Sequence, residues 1–186
     1  MIHTMQQVTM MDIANNIDKK LTFIDFNIDG ELFPQLPQSN SLFSKVLAFN
    51  PFPTGLLELK NDVIKIGDES KHVFATFSTD QITFLEIGIY RSAVRAAPLA
   101  LLSSRYTLYV HLVADEKPFF MLNDDIQALG KFMSTLNLKK IHLVDEMNLM
   151  KHLAQLDELD NQLFEELAKD TKFFMPLHIV GSNARV

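Results

Sequence analysis

Three side chains in this sequence are of types that could do acid–base chemistry together. Glu86 interrupts the apolar run of residues 82–90, and Tyr109 and His111 alternate along residues 106–114. A carboxylate accepts a proton, an imidazole exchanges one near neutral pH, and a phenol donates a hydrogen bond. Strand alternation puts Thr107, Tyr109 and His111 on one face, opposite the apolar face of Tyr106, Leu108, Val110 and Leu112. Glu86 and Gly88 likewise share a face. An ordinary solvated sheet face explains the same alternation, and no motif fixes a carboxylate beside His111. Glu86, Tyr109 and His111 therefore define an alternative site, the pocket of a metal-independent enzyme or small-ligand-binding protein.

The second group is electrostatic. Residues 145–170 hold eight acids against two lysines, a local charge of −6, which equals the formal net charge of the whole 186-residue chain. The remaining residues balance at fifteen acids and fifteen bases. Leu149, Leu156 and Leu163 recur every seven residues, and Leu153, Leu159 and Leu167 fill the adjacent stripe. This spacing predicts one amphipathic helix of about six turns, with Asp157, Glu158, Asp160, Glu165 and Glu166 facing away from the leucines. The basic residues that would relieve i, i+4 repulsion are missing. Such a face suits a protein partner with a basic surface.

Other chemistries find little material. His142, Asp145, Glu146 and His152 are the densest set of metal-ligand types, but on a helix they give no clean i, i+4 pair, and no metal site is expected. The chain has no cysteine, which removes thiolate nucleophiles, disulfides and cysteine-ligated metal centres. Six glycines, at positions 30, 55, 67, 88, 130 and 181, are isolated, so neither a P-loop nor a dinucleotide fingerprint can form. There is no Gly-x-Ser-x-Gly elbow, and Ser103-Ser104-Arg105 reads as a helix-to-strand junction. An acidic pI near 5.4 and the lack of a basic run argue against nucleic acid. No window reaches the roughly 20 apolar residues of a membrane span, and the N-terminus lacks the pattern of a signal peptide. A cytoplasmic location without cofactors is the expectation.

The elements that would position these residues can be read from periodicity. A helix is expected over residues 9–18, then a hairpin from residues 21–28 through Asp29-Gly30 to Glu31, Leu32 and Phe33. A helix or apolar plug follows over residues 42–49. The best-defined hairpin has Asn61-Asp62 as its turn, so that Leu59 faces Ile64, Leu57 faces Ile66, and Glu58 faces Lys65. Residues 72–78 and 82–90 extend it into a four-stranded meander. Residues 91–104 read as a helix interrupted by Pro98. Strands are expected over 106–114 and 118–122, a helix from Asn123 to Leu136, a strand over 140–144, the acidic helix, and a last strand over 173–180.

With 47% hydrophobic and 22% charged residues, the composition is that of a globular protein, and one domain over residues 1–186 is expected. The fold class is α+β, a largely antiparallel sheet of meander and hairpins covered by several helices, with the long acidic amphipathic helix near the C-terminus. In element order, the middle of the chain is similar to small acidic secretion chaperones. The functional expectation is a non-enzymatic protein-interaction module, an adaptor, secretion-type chaperone or inhibitor. It would bind a protein partner with a basic or apolar surface through the acidic helix or an apolar sheet face. Neither nucleic acid nor membrane is an expected partner, and a homodimer is compatible with this reading.

Overall fold

The computed structural model describes residues 21–28, 54–68, 72–95, 102–156, 159–174 and 178–180. Among these residues nine strands form one sheet: β1 (Leu21–Ile28), β2 (Thr54–Lys60), β3 (Val63–Asp68), β4 (Val73–Ser78), β5 (Ile82–Arg95), β6 (Leu102–Ala114), β7 (Lys117–Asn123), β8 (His142–Val144) and β9 (His178–Val180). Three α-helices accompany them among the described residues, α1 (Ile126–Thr135), α2 (Leu149–His152) and α3 (Asn161–Ala168). The strand order is β4-β3-β2-β1-β7-β6-β5-β8, with β9 also pairing β5. The mixed α+β class with antiparallel hairpins is what the periodicity implied. The expected first helix, the turn and return strand after Ile28, and the segment 42–49 lie outside the described residues.

The β2/β3 hairpin has the expected register, Leu57 opposite Ile66, Glu58 opposite Lys65 and Leu59 opposite Ile64. Its four apolar members are buried, whereas Glu58 and Lys65 pair loosely at 4.0 Å in solvent and contribute little. Asn61 and Asp62 have φ of 50° and 62°, the left-handed pair of a type I′ turn whose twist matches the flanking strands. The β6/β7 hairpin turns the same way through Asp115 and Glu116, at φ 50° and 61°. Asn and Asp tolerate this region better than other non-glycine residues, so Glu116 is the strained position. Glu116→Gly is expected to stabilise the protein by about 0.5–1 kcal/mol, seen as a higher urea midpoint. The same change at Asp62 should gain less.

Parallel pairing is what the sequence did not announce. β1 runs parallel to both neighbours, Phe26 opposite Leu57 on β2 and Leu21 opposite Phe120 on β7, and β8 and β9 run parallel to β5. The antiparallel pairings still carry the long ladders, the longest joining β5 to β6 from Ile82 opposite Ala114 to Arg95 opposite Leu102. Residues 91–95 and 102–104 are thus strand, correcting the helix expected over 91–104. Alanine and leucine favour a helix there, but the two ladders propagate from the strongly β-forming residues on either side and override that propensity.

The four-stranded meander is also corrected, because among the described strands β4 pairs only with β3 while β5 lies six places away. In a flat sheet that distance would be about 29 Å, yet the chain from Ser78 to Ile82 can span at most about 15 Å. The sheet must therefore roll. Consistent with this, the rings of Phe77 on β4 and Phe119 on β7 stack at 5.3 Å across the roll. The concave face gathers Ile24, Phe26, Leu57, Leu59, Ile64, Ile66, Phe77, Ile87, Ile89, Leu108, Val110 and Met121 into one core.

Helix α1 packs on this face, Phe132 stacking on Phe26 at 5.2 Å. Its expected stripe of Ile126, Leu129, Met133 and Leu136 is buried. The cap is Asp125, which accepts from the Ala128 N–H at 3.0 Å, in place of Asn123. Asn123 remains in β7, where its amide donates to the Ile24 carbonyl at 2.5 Å, tying β7 to β1.

Among the described residues the single long acidic helix is not seen. Residues 145–170 contain α2 and α3 as separate helices. The reason is local side-chain capping. Asp145 accepts from the N–H groups of Leu149 and Met150, Asn148 adopts a left-handed φ of 51°, and Asp160 in extended conformation accepts from the Leu163 N–H at 2.8 Å. Each begins a helix where an uninterrupted one would have needed helical backbone. No helix among the described residues is long and apolar enough to cross a membrane.

Candidate functional site

The β5/β6 register sets Glu86 directly opposite His111 and Gly88 opposite Tyr109, so three residues from two strands meet on one face. Among the described residues, Glu86 and His111 are 3% and 5% exposed and Tyr109 is fully buried. Glu86 Oε2 lies 3.7 Å from His111 Nδ1, and Lys172 Nζ donates to Glu86 Oε1. The His111 ring stacks on Phe120 at 4.3 Å and tilts against Phe84. Phe173 meets Tyr109 edge-on at 5.6 Å.

Gly88 has a steric purpose in this cluster. A Cβ added there would lie 2.3 Å from Cζ of Phe173, so the glycine is the floor on which the ring sits, an aromatic side chain covering a strand glycine.

Electrostatics follow from burial. Desolvation alone would raise the Glu86 carboxyl, but the His111 imidazole beside it and the Lys172 ammonium bonded to it outweigh that and hold the group below its ordinary value. Burial, aided by the Glu86 charge, pushes the Tyr109 phenol well upward, and burial raises Tyr90 to about 12. Both phenols stay protonated across the physiological range. The hydroxyl of Tyr109 and Nε2 of His111 are buried without a hydrogen-bond partner among the described residues.

No family model matches the chain, and no curated protein or solved structure matches it. Geometry alone carries the functional reading.

The acidic residues are dispersed in role. Asp160 caps α3. Glu165 accepts from Arg91 at 2.9 Å, and the same guanidinium lies 4.7 Å over the buried ring of Phe164, so this acid fastens α3 to β5. Glu166 is exposed, and Asp157 and Glu158 lie outside the described residues. The candidate metal ligands also separate: Asp145 caps α2, Glu146 accepts from the Lys172 N–H, and His142 stands edge-on to Phe84. Among the described residues no three of His, Asp and Glu gather as a metal site.

Sequence reasoning brought Glu86, Tyr109 and His111 to one neighbourhood and missed Lys172. No spacing rule links a lysine to a glutamate 86 residues earlier. The other unforeseen feature is the far edge of the sheet. Val63, Val73 and Phe74 on β3 and β4 are 37%, 46% and 57% exposed.

Proposed function

We propose that the chain is a non-enzymatic protein-interaction module that captures an extended segment of a protein partner along β4. The observation carrying this reading is the character of that edge. Among the described residues β4 ends the strand order, its sequence VFATFS holds neither charge nor proline, and it exposes Val73 and Phe74. Edge strands are ordinarily blunted by lysine, proline or cover, since unpaired backbone groups beside apolar side chains recruit another strand. A partner strand added there gains main-chain hydrogen bonds from the edge and apolar contact from Phe74.

An adaptor, chaperone or inhibitor could each use such an edge. The acidic surface contributes through Glu166, since Asp160 and Glu165 already serve α3. The enzyme or small-ligand alternative has less support. Glu86, Tyr109 and His111 do converge, but they are sealed beneath aromatic rings and Glu86 is already engaged by the Lys172 ammonium, with the His111 ring beside it. The cluster therefore acts as a pin holding the segment around Lys172 to the sheet.

Phe74→Asp decides the matter. Pull-downs from native lysate with wild-type and variant chains, quantified by mass spectrometry, should show one partner reduced at least about tenfold, while the melting midpoint shifts by less than about 2 °C, as for a surface substitution. Undiminished capture by Phe74→Asp would reject the edge, and loss on Glu166→Lys instead would move the surface to the acidic side. Concentration-dependent dimers in light scattering, abolished by Phe74→Asp, would identify the partner as a second copy.

A further inference from the structure

A groove of about 790 Å³ runs between α1 with the turn after it and α2 with residues 153–156. Its apolar lining is Met133, Leu136, Leu138, Met150, Leu153 and Leu156. We propose that this groove is a second docking site, one that takes an acidic amphipathic helix of a protein partner.

Three observations lead there. The first is charge. The lining elements, residues 126–140 and 149–156, contain Lys131, Lys139, Lys140 and Lys151 and no Asp or Glu, in a chain whose net charge is −6. All four lysines are exposed, and Lys139 lines the groove itself. An apolar channel whose one charged lining residue is a lysine complements a helix with one apolar face and acidic flanks.

The second is Gly130, which lines the groove from the middle of α1. A glycine inside a helix is destabilising relative to alanine, and most such glycines are explained by a close neighbour. Here a Cβ would meet nothing within 4 Å, in contrast to Gly88 beneath Phe173. Nothing among the described residues needs the space, whereas a docked helix needs it to approach α1 closely.

The third concerns the backbone. The lining comes from α1, the turn at residues 138–140, α2 and the turn at residues 153–156, whose main-chain groups bond largely within their own turns, which leaves few partners for an extended strand. A helix arrives with its backbone already satisfied, and two methionines in the lining let the surface adapt to its side chains.

The test is a phage-displayed library of helix-forming peptides panned against the full-length protein, followed by titration of the fluorescently labelled winner. Enriched sequences should carry Leu, Ile, Phe or Met at i, i+3 or i+4, and i+7, flanked by Asp and Glu. Gly130→Leu should weaken the labelled peptide at least about tenfold by filling the groove. The double variant Lys139→Glu/Lys140→Glu should do so by a similar factor, with a deficit that shrinks as salt is raised. Gly130→Ala should raise the melting midpoint by about 2–4 °C while weakening the peptide. Phe74→Asp should leave the peptide unaffected, which keeps this site distinct from the β4 edge.

Enrichment of neutral or basic peptides, no enrichment, or equal affinity for Gly130→Leu would overturn the proposal. So would a fall in the midpoint of Gly130→Ala, which would give the glycine a role in folding. Saturable binding of a fluorescent fatty acid with no peptide enriched would reassign the groove to an acyl chain. Should Gly130→Leu fail to fold, the lysine pair decides.

Discussion

Lys172→Met is expected to lower the unfolding free energy by about 3 kcal/mol at pH 7, because it strands the Glu86 carboxylate in the sheet without its ammonium partner. The low end of the usual range applies, since His111 remains beside the acid. The deficit should also change with pH. In the wild type the folded carboxyl titrates below its ordinary value of 4.5, so its stabilising contribution is complete above that value and is lost as pH falls through the lower, folded one. Removing Lys172 leaves burial, the largest single influence, opposed by His111 alone. The carboxyl then moves upward, and protonating it relieves the variant. Urea midpoints at pH 7 and pH 4 should therefore show the gap between variant and wild type narrowing in acid. A constant gap would mean that Lys172 acts through packing of its methylenes. In the double variant Glu86→Gln/Lys172→Met the loss should be smaller than the sum of the single losses.

The second large effect belongs to Phe173→Ala, expected to cost about 3–5 kcal/mol as a fully packed aromatic leaves a cavity over Gly88 and Tyr109. Gly88→Ala should cost about 1–3 kcal/mol for the opposite reason, since its new methyl collides with a rigid ring that is itself only 3% exposed. The informative measurement is the pair together. An alanine at 88 partly fills the space that Phe173 vacates, so the double variant should be more stable than the two single losses predict, by about 1 kcal/mol or more. Simple additivity would show that ring and glycine do not share one space.

Legibility in the sequence followed the range of the interactions. The β2/β3 hairpin could be read to the residue because its turn, apolar alternation and charge pairing are all local and agree. The stripe of α1 was readable for the same reason. The helix misread over 91–104 had local propensity on its side, and only the ladder between β5 and β6 decided against it. The break in the acidic segment was encoded, at Asp145 and Asp160, but an aspartate serves as a helix cap or as a solvated charge with the same letter. The parallel neighbours of β1 and the bond from Lys172 to Glu86 depend on residues far apart in the chain, for which periodicity has no reach. The candidate site was thus visible as two strand faces and invisible as a charged cluster.

β1 has a consequence for how the chain is assembled. β2 to β4 and β5 to β7 each close through short antiparallel connections, so either group can form from contacts made within a few tens of residues. Among the described strands β1 alone pairs with both groups, and the hydrogen bond it accepts from Asn123 spans 99 positions. During synthesis β1 is made before the other described strands and waits for β7, the partner that completes its environment. The rate-limiting event in folding is then expected to be the insertion of β1 between two later-made, preformed halves.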